Sequence, residues 1–112
     1  MPIEFTATEV GFKDGLGGAS NSKSSTPYHY ILFGKQVDPQ HSGNSGLYFE
    51  FDSQGSGGVN RVTKIVLAQS EARFCLRDRE TILVRRSEDD GGWQKFVEGV
   101  HEIFGELVEQ AA

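Results

Sequence analysis

The sequence predicts an α+β fold in which an antiparallel sheet of about six strands carries one C-terminal amphipathic helix packed on one face. Three observations support this. Alternating apolar and polar residues, typical of strands, recur up to residue 86. From Trp93 onward the apolar residues are instead three or four positions apart, as in an amphipathic helix. A length of 112 residues, 37% of them hydrophobic, suits a domain with one hydrophobic core. We therefore expect a single domain over residues 1–112, with strands within 1–86 and a helix at about 90–109.

The N-terminal part predicts two strands separated by a long loop. The run from Ile3 to Phe12 changes the parity of its apolar residues, which predicts a first strand with a bulge. Lys13 to Thr26 is rich in Gly, Ser and Thr and has little to bury, so we expect a loop. Pro27 to Gly34 is a continuous β-rich run and predicts a strand at the centre of the sheet.

The middle of the chain alternates with a period of two. From Gly46 to Asp52 we expect one face to enter the core (Leu47, Phe49 and Phe51) and the other to be wetter (Tyr48, Glu50 and Asp52). The glycine cluster Gly55 to Gly58 is predicted to be a connection before a strand over 59–69. The short link Gln69-Ser70 favours an antiparallel hairpin with the next strand, 71–77, and 81–86 is the last predicted strand.

The predicted helix carries one wide apolar stripe: Trp93, Phe96, Val97, Val100, Ile103, Phe104, Leu107 and Val108. The acidic stretch from Ser87 to Asp90 offers an N-cap and negative charge at the helix N-terminus. Gly99 and Gly105 lie inside the predicted helix and cost about 1 kcal/mol each relative to Ala. Packing of the stripe must therefore hold the helix.

Composition restricts the classes of function. A net charge of −5 argues against a nucleic-acid or membrane-surface partner, since both usually require a basic face. Cys75 is the only cysteine, which excludes an internal disulfide and fits a reducing compartment. The N-terminus lacks the basic and apolar regions of a signal peptide. We expect a cytoplasmic protein.

The chemical motifs do not assemble a catalytic or metal site, and we predict no enzyme activity, no metal and no cofactor. His101-Glu102 begins like a zinc protease helix, but Gly105 stands at the second ligand position. Cys75 is expected to be inert, although two arginines on the same strand face favour its thiolate. An anion-binding nest in the Gly55 to Gly58 cluster is a weaker option. An enzyme would require Asp52 and His29 to meet in a cleft.

Charged side chains suggest a docking surface. Four glutamates recur at helical spacing opposite the apolar stripe: Glu98, Glu102, Glu106 and Glu109. They form either an ordinary solvated helix face or an acidic surface for a basic protein. On the sheet we expect cross-strand surface ion pairs, with Glu50 and Asp52 close to a line of basic residues: Lys64, Arg73, Arg77 and Arg85.

The order of these elements resembles the immunity protein 10 family of bacterial polymorphic toxin systems. The resemblance rests on the strand from Pro27, the Gly46 to Asp52 strand followed by Gln54-Gly55 and Gly57-Gly58, the strand over 62–67, Phe74-Cys75-Leu76, and the terminal helix with Phe96, Ile103 and Phe104. It implies a small α+β protein that binds a cognate toxin in the producing cell and blocks its active site or substrate groove.

Two surfaces are candidates for the partner under this resemblance. One contains Tyr48, Asp52 and Gln54, and the other is the acidic helix face of Glu98, Glu102, Glu106 and Glu109. The alternative is a different class of protein, a homodimeric β module that binds a small ligand on its outer sheet face or an exposed edge strand.

Overall fold

The α+β class is confirmed, but the strands form two sheets rather than one sheet of about six strands. The computed structural model describes residues 3–21, 28–36, 46–59, 61–77, 80–87 and 92–110. In these ranges the strands are β1 (Ile3–Ala7), β2 (Glu9–Lys13), β3 (Leu16–Ser20), β4 (Tyr30–Gln36), β5 (Gly46–Phe51), β6 (Ser53–Val59), β7 (Val62–Leu67), β8 (Glu71–Leu76), β9 (Thr81–Arg86) and β10 (Val108–Gln110). The helix is α1 (Trp93–Phe104).

The first sheet has the strand order β1-β9-β8-β7-β10. Its centre is antiparallel, and the predicted hairpin across Gln69-Ser70 joins β7 to β8. The two edge pairs, β1 with β9 and β10 with β7, are parallel, so the prediction of a wholly antiparallel sheet is wrong at the edges. Parallel pairing arises because each edge strand reaches its neighbour through a long excursion of the chain rather than a tight turn.

The second sheet is an antiparallel meander, β2-β3-β4-β5-β6, with β4 at its centre as predicted. The predicted first strand proves to be two strands, because the chain leaves the first sheet after Ala7 and enters the second at Glu9. The change of parity at this point allows Phe5 and Phe12 to face one shared core from opposite sheets. Parity therefore marked a change of sheet and not a bulge.

Glycine-rich segments predicted as a loop and a connection form strands instead. Asp14 and Gly15, both at positive φ, make a tight turn into β3 within the predicted loop, while residues 22–27 lie outside the described part. A Cβ at Gly17 would lie 2.6 Å from Cε1 of the Phe33 ring and nearer still to its Cζ, so this glycine permits close packing. The cluster Gly55 to Gly58 lies in β6, which pairs with β5.

The core lies between the two sheets and the helix. Phe33 and Phe49 from the second sheet approach Phe74 from the first, with ring centroids 6.3 and 5.3 Å apart. Phe96 and Phe104 of α1 contact both Phe33 and Phe74. The helix therefore packs against the core that the two sheets share, because its apolar stripe is wide enough to contact residues of both sheets.

The helix is shorter than the predicted 90–109. Gly105, at φ 30°, ends it and begins a single 3₁₀ turn (Gly105–Leu107) that leads into β10. The helix begins after Gly92, without a side-chain cap, so the predicted N-cap at Ser87 to Asp90 is wrong; residues 88–91 lie outside the described part. Within the described residues no helix is long and apolar enough to cross a membrane.

Candidate functional site

The outer face of the second sheet carries the most unusual polar arrangement in the described chain. Ile31 and Phe33 of β4 and Phe49 of β5 point into the core, so the alternate residues point outward. These are Tyr30 and Leu32 on β4, with Tyr48 and Glu50 on β5. Strand register places Leu32 opposite Glu50, so the four side chains are close neighbours.

Glu50 is a buried carboxylate within this face. It is only 6% exposed, although the sequence predicted a wetter face. The Tyr48 hydroxyl donates a hydrogen bond of 2.6 Å to Oε1, and the Tyr30 hydroxyl donates to Oε2. Two phenol donors thus replace water at the two carboxylate oxygens, so both oxygens of this buried side chain have a hydrogen-bond partner.

Both phenols are held in the protonated state by this arrangement. Burial, followed by the hydrogen bond to Glu50, raises the pKa of Tyr30 well above its ordinary value. For Tyr48 the hydrogen bond to Glu50 is the first cause and burial the second, and its pKa is also raised. At neutral pH both tyrosines are therefore hydrogen-bond donors to Glu50 and not anions.

Asp52 ends the same strand and binds His29. Its backbone lies in the left-handed region at φ 60°, which Asp tolerates because its side chain bonds locally. One carboxylate oxygen accepts from His29 Nδ1 at 2.8 Å and the other from the Tyr30 backbone N–H at 3.1 Å. The His29 ring also stacks on Phe5 at 5.9 Å.

Asp52 and His29 meet, which is one part of the condition that the enzyme hypothesis set, but Asp52 is exposed and neither residue lines the groove described below, so the required cleft is not formed there. A carboxylate that orients an imidazole is one half of a nucleophile-activating pair. Among the described residues, however, no hydroxyl or thiol is hydrogen-bonded to the His29 ring. The pair thus orients an imidazole without supplying a nucleophile.

A shallow groove of about 400 Å³ runs beside this network across β2, β3 and β4. Its base includes Gly11 and Gly18, which lack side chains, and its sides include Leu16, Leu32 and Tyr28. Leu16 is 55% exposed and Tyr28 is 40% exposed, the largest exposure of big apolar side chains in the described residues. Tyr30 lines the groove and also bonds Glu50, so the two features are continuous; we call them together the tyrosine groove.

Only part of the first predicted surface is assembled. Tyr48 lies on β5 and Asp52 directly follows that strand, and both connect to Tyr30, one through Glu50 and one directly. Gln54 lies in β6, and its side chain falls outside the described part. The binding role of these residues remains a prediction.

The acidic helix face is not assembled as predicted. Glu98 and Glu102 are exposed on α1, but Glu106 belongs to the 3₁₀ turn and Glu109 to β10. Glu109 contacts Lys64 of the neighbouring strand at 3.6 Å. The prediction failed because Gly105 ends the helix, so helical spacing no longer applies to the last two glutamates.

The expected line of basic residues near Glu50 and Asp52 is also wrong. Lys64, Arg73, Arg77 and Arg85 belong to or follow strands of the first sheet, whereas the two acids belong to the second. Arg85 instead contacts Glu4 at 3.1 Å on the outer face of the first sheet. Half-buried Cys75 lies in the same sheet as a free thiol.

Sequence reasoning missed the central residues of the site, which are Tyr30, Glu50, Leu16 and Tyr28. The signal is the repeated Tyr spacing in Tyr28-His29-Tyr30, but the run predicts only a strand at the centre of the sheet and not which of its side chains face outward. Only strand register shows that Tyr30 faces Glu50.

Comparison of the chain with protein-family models, curated proteins and solved structures found no match in any of the three. The resemblance to the immunity protein 10 family therefore stays a prediction.

Proposed function

We propose that this protein binds and neutralises a cognate bacterial toxin in the cytoplasm of the producing cell, and that the tyrosine groove is its docking surface. The supporting observation is the exposure of Leu16 and Tyr28 beside the hydrogen-bonded network of Tyr30, Tyr48 and Glu50. Exposed apolar side chains next to fixed polar ones are typical of a protein-binding surface.

The groove has the physical properties of an interaction hot spot. Tyrosine supplies a large contact area at low cost in side-chain entropy and is enriched among residues that dominate binding energy. The bonds to Glu50 hold Tyr30 and Tyr48 in place before binding. Because the side chains arise from adjacent strands, little further ordering is needed on association.

The class of partner follows from the resemblance in strand order and from composition. Immunity proteins act by occupying a toxin, so they need a binding surface and no catalytic residues. A net charge of −5 suits a basic partner such as an enzyme that acts on nucleic acid. Charge of this kind mainly accelerates and orients association.

A neutralisation assay with one groove variant and one matched control tests the proposal. A candidate toxin domain is expressed in a susceptible host together with wild type, Leu16→Asp or Thr6→Asp. Thr6 is exposed on the first sheet, so Thr6→Asp adds the same charge away from the groove. We expect protection by wild type and Thr6→Asp and loss of protection with Leu16→Asp.

Two results would contradict the proposal at different points. If wild type gives no protection and recovers no toxin at low salt, the immunity function is wrong. If Leu16→Asp, shown to be folded by circular dichroism, protects as well as wild type, the docking surface lies elsewhere.

The groove also supports a second candidate, a homodimeric module that binds a small ligand. Its volume of about 400 Å³ and its mostly apolar sides are in the range of ligand sites. Sedimentation of wild type and Leu16→Asp distinguishes this candidate, because a dimer formed through the groove would dissociate in the variant.

A further inference from the structure

We infer that the end of the tyrosine groove at Tyr30 and Tyr48 receives a basic side chain of the partner, and that this side chain is an arginine. The inference rests on the proposed function, because it names the chemistry by which the toxin would be recognised. It is carried by three observations: a buried carboxylate that bonds no cation among the described residues, two half-buried phenols hydrogen-bonded to it, and an exposed tyrosine ring alongside.

The buried carboxylate provides the negative potential. Glu50 is 6% exposed, and within the described residues its side chain bonds two neutral phenols and no cation. Asp52 lies beside Tyr30, and Glu9 lines the groove. A carboxylate removed from water interacts more strongly with a cation than an exposed one does, since the local dielectric constant is low.

The phenol oxygens transmit this potential to the surface. Each hydroxyl uses its proton on Glu50, so its oxygen is left as an acceptor. A phenol that donates to a carboxylate becomes a better acceptor, because hydrogen bonds in a chain polarise one another. An incoming N–H donor can therefore bond the oxygens of Tyr30 and Tyr48 without displacing them from Glu50.

The ring of Tyr28 favours arginine over lysine. It is 40% exposed, and its centroid lies 6.2 Å from that of Tyr30. A planar guanidinium can stack on such a ring while its N–H groups bond the phenol oxygens, whereas an ammonium is compact and strongly hydrated. The aliphatic part of an arginine would lie against Leu32 in the groove.

Lys13, the basic residue of β2, lies at the opposite end of the groove from Tyr30. Lys13 pairs in register with Leu16, and Leu16 pairs with Gly34 of β4. Gly34 lies four residues after Tyr30 along this strand, on the far side of Leu32. Among the described residues, no lysine or arginine is hydrogen-bonded to Tyr30, Tyr48 or Glu50.

Titration with short peptides, followed by NMR of the whole protein, tests the inference. The probes are acetyl-Gly-Arg-Gly-amide and the same peptide with citrulline, which keeps the shape of arginine and lacks its charge. We expect shift changes at Tyr28, Tyr30 and Tyr48 with the arginine peptide, and roughly tenfold weaker binding by the citrulline peptide. Glu50→Gln should weaken arginine binding by a similar factor.

Tyr48→Phe is a second variant, which removes one acceptor oxygen and leaves the Glu50 side chain in place. Thr6→Asp is the control, because it adds a charge on the first sheet, away from the groove. Shift changes scattered over the surface, or equal affinities for the two peptides, would overturn the inference. So would unchanged arginine binding by a folded Glu50→Gln or Tyr48→Phe protein.

The neutralisation assay separates this inference from the proposed function. If Leu16→Asp abolishes protection while folded Glu50→Gln protects fully, the groove binds the toxin without an arginine, and the inference alone fails. If the arginine peptide binds as expected but no toxin is neutralised, the proposed function fails and the cation site stands.

Discussion

Replacing Gly99 with alanine tests the closest approach between the helix and the second sheet. A Cβ at Gly99 would lie 2.8 Å from the Cβ of Phe12, and atoms of the Phe12 ring would be nearer still. Phe12 belongs to β2, whose neighbouring residue Gly11 is part of the base of the tyrosine groove. The substitution therefore measures packing beneath the proposed docking surface.

Two opposing contributions set the expected magnitude. Alanine gains about 1 kcal/mol over glycine in a helix interior. Carbon atoms normally approach to about 3.5–4.0 Å, so helix and strand must separate by about 1 Å, and overpacking of this kind costs up to about 3 kcal/mol. Because the contact involves the root of Phe12, a rotation of the ring cannot relieve it. We expect a net loss of about 2 kcal/mol in the free energy of unfolding.

Urea unfolding and thermal melting of Gly99→Ala, with Gln94→Ala as an exposed helix control, measure this loss. For a domain of this size, the loss corresponds to a fall in Tm of roughly 8 °C. Phe12→Ala, which removes the ring and Cγ and keeps only Cβ, should reduce the effect in a double-mutant cycle, because the two positions are in contact. A Gly99→Ala protein that is more stable than wild type would refute the close approach, since helix propensity would then act alone.

Three further predictions concern the core, pH dependence and the surface. Phe74→Ala should lower the free energy of unfolding by about 3–5 kcal/mol, because this fully buried ring contacts both the second sheet and the helix; a urea midpoint near wild type would contradict this. Raising the pH above about 10 should destabilise the protein by up to ~1.4 kcal/mol per pH unit for each tyrosine, because unfolded tyrosines lose protons that Tyr30 and Tyr48 retain when folded. Below that pH the stabilising contribution of the two tyrosines is fully present. In urea titrations, the free energy of unfolding of Tyr30→Phe should fall less steeply with rising pH than that of wild type. An equally steep fall in the two proteins would exclude Tyr30 as a source of the pH dependence. Arg85→Ala should cost under about 1 kcal/mol by thermal melting, since its ion pair with Glu4 is exposed.

Under the proposed function, the tyrosine groove would explain how an acidic protein binds its partner selectively. Exposed acids such as Glu98 and Glu102 attract any basic molecule at long range, and salt screens that attraction. Glu50 acts only at short range, through two oriented phenols, so it favours a donor of matching geometry. Long-range charge and the groove therefore contribute to association rate and to specificity, respectively.

The fold class was predictable because it depends on local periodicity. The alternation over Glu71 to Leu76 and the apolar stripe from Trp93 to Phe104 each determine which face is buried, and both predictions are confirmed. The Gln69-Ser70 hairpin was predictable for the same reason, since its two strands are adjacent in sequence.

The glycines were harder to interpret, because one residue type serves opposite purposes. Gly15 and Gly105 do turn the chain at positive φ, as glycines often do. Gly17 and Gly99 instead lie within regular elements, where their lack of a side chain admits Phe33 and Phe12. Without the position of the facing ring, the sequence offered no way to distinguish the two.

The sequence by itself determined which apolar side chains of β5, β8 and the helix are buried, the strand patterns around β4, β5, β7, β8 and β9, and the presence of one helix. Only the tertiary structure decided that the strands divide into two sheets, that the edge pairs are parallel, and that Tyr30 meets Glu50 across β4 and β5. The physical reason is that periodicity is a property of neighbouring residues, whereas strand partners and register are chosen by contacts between segments far apart in the chain.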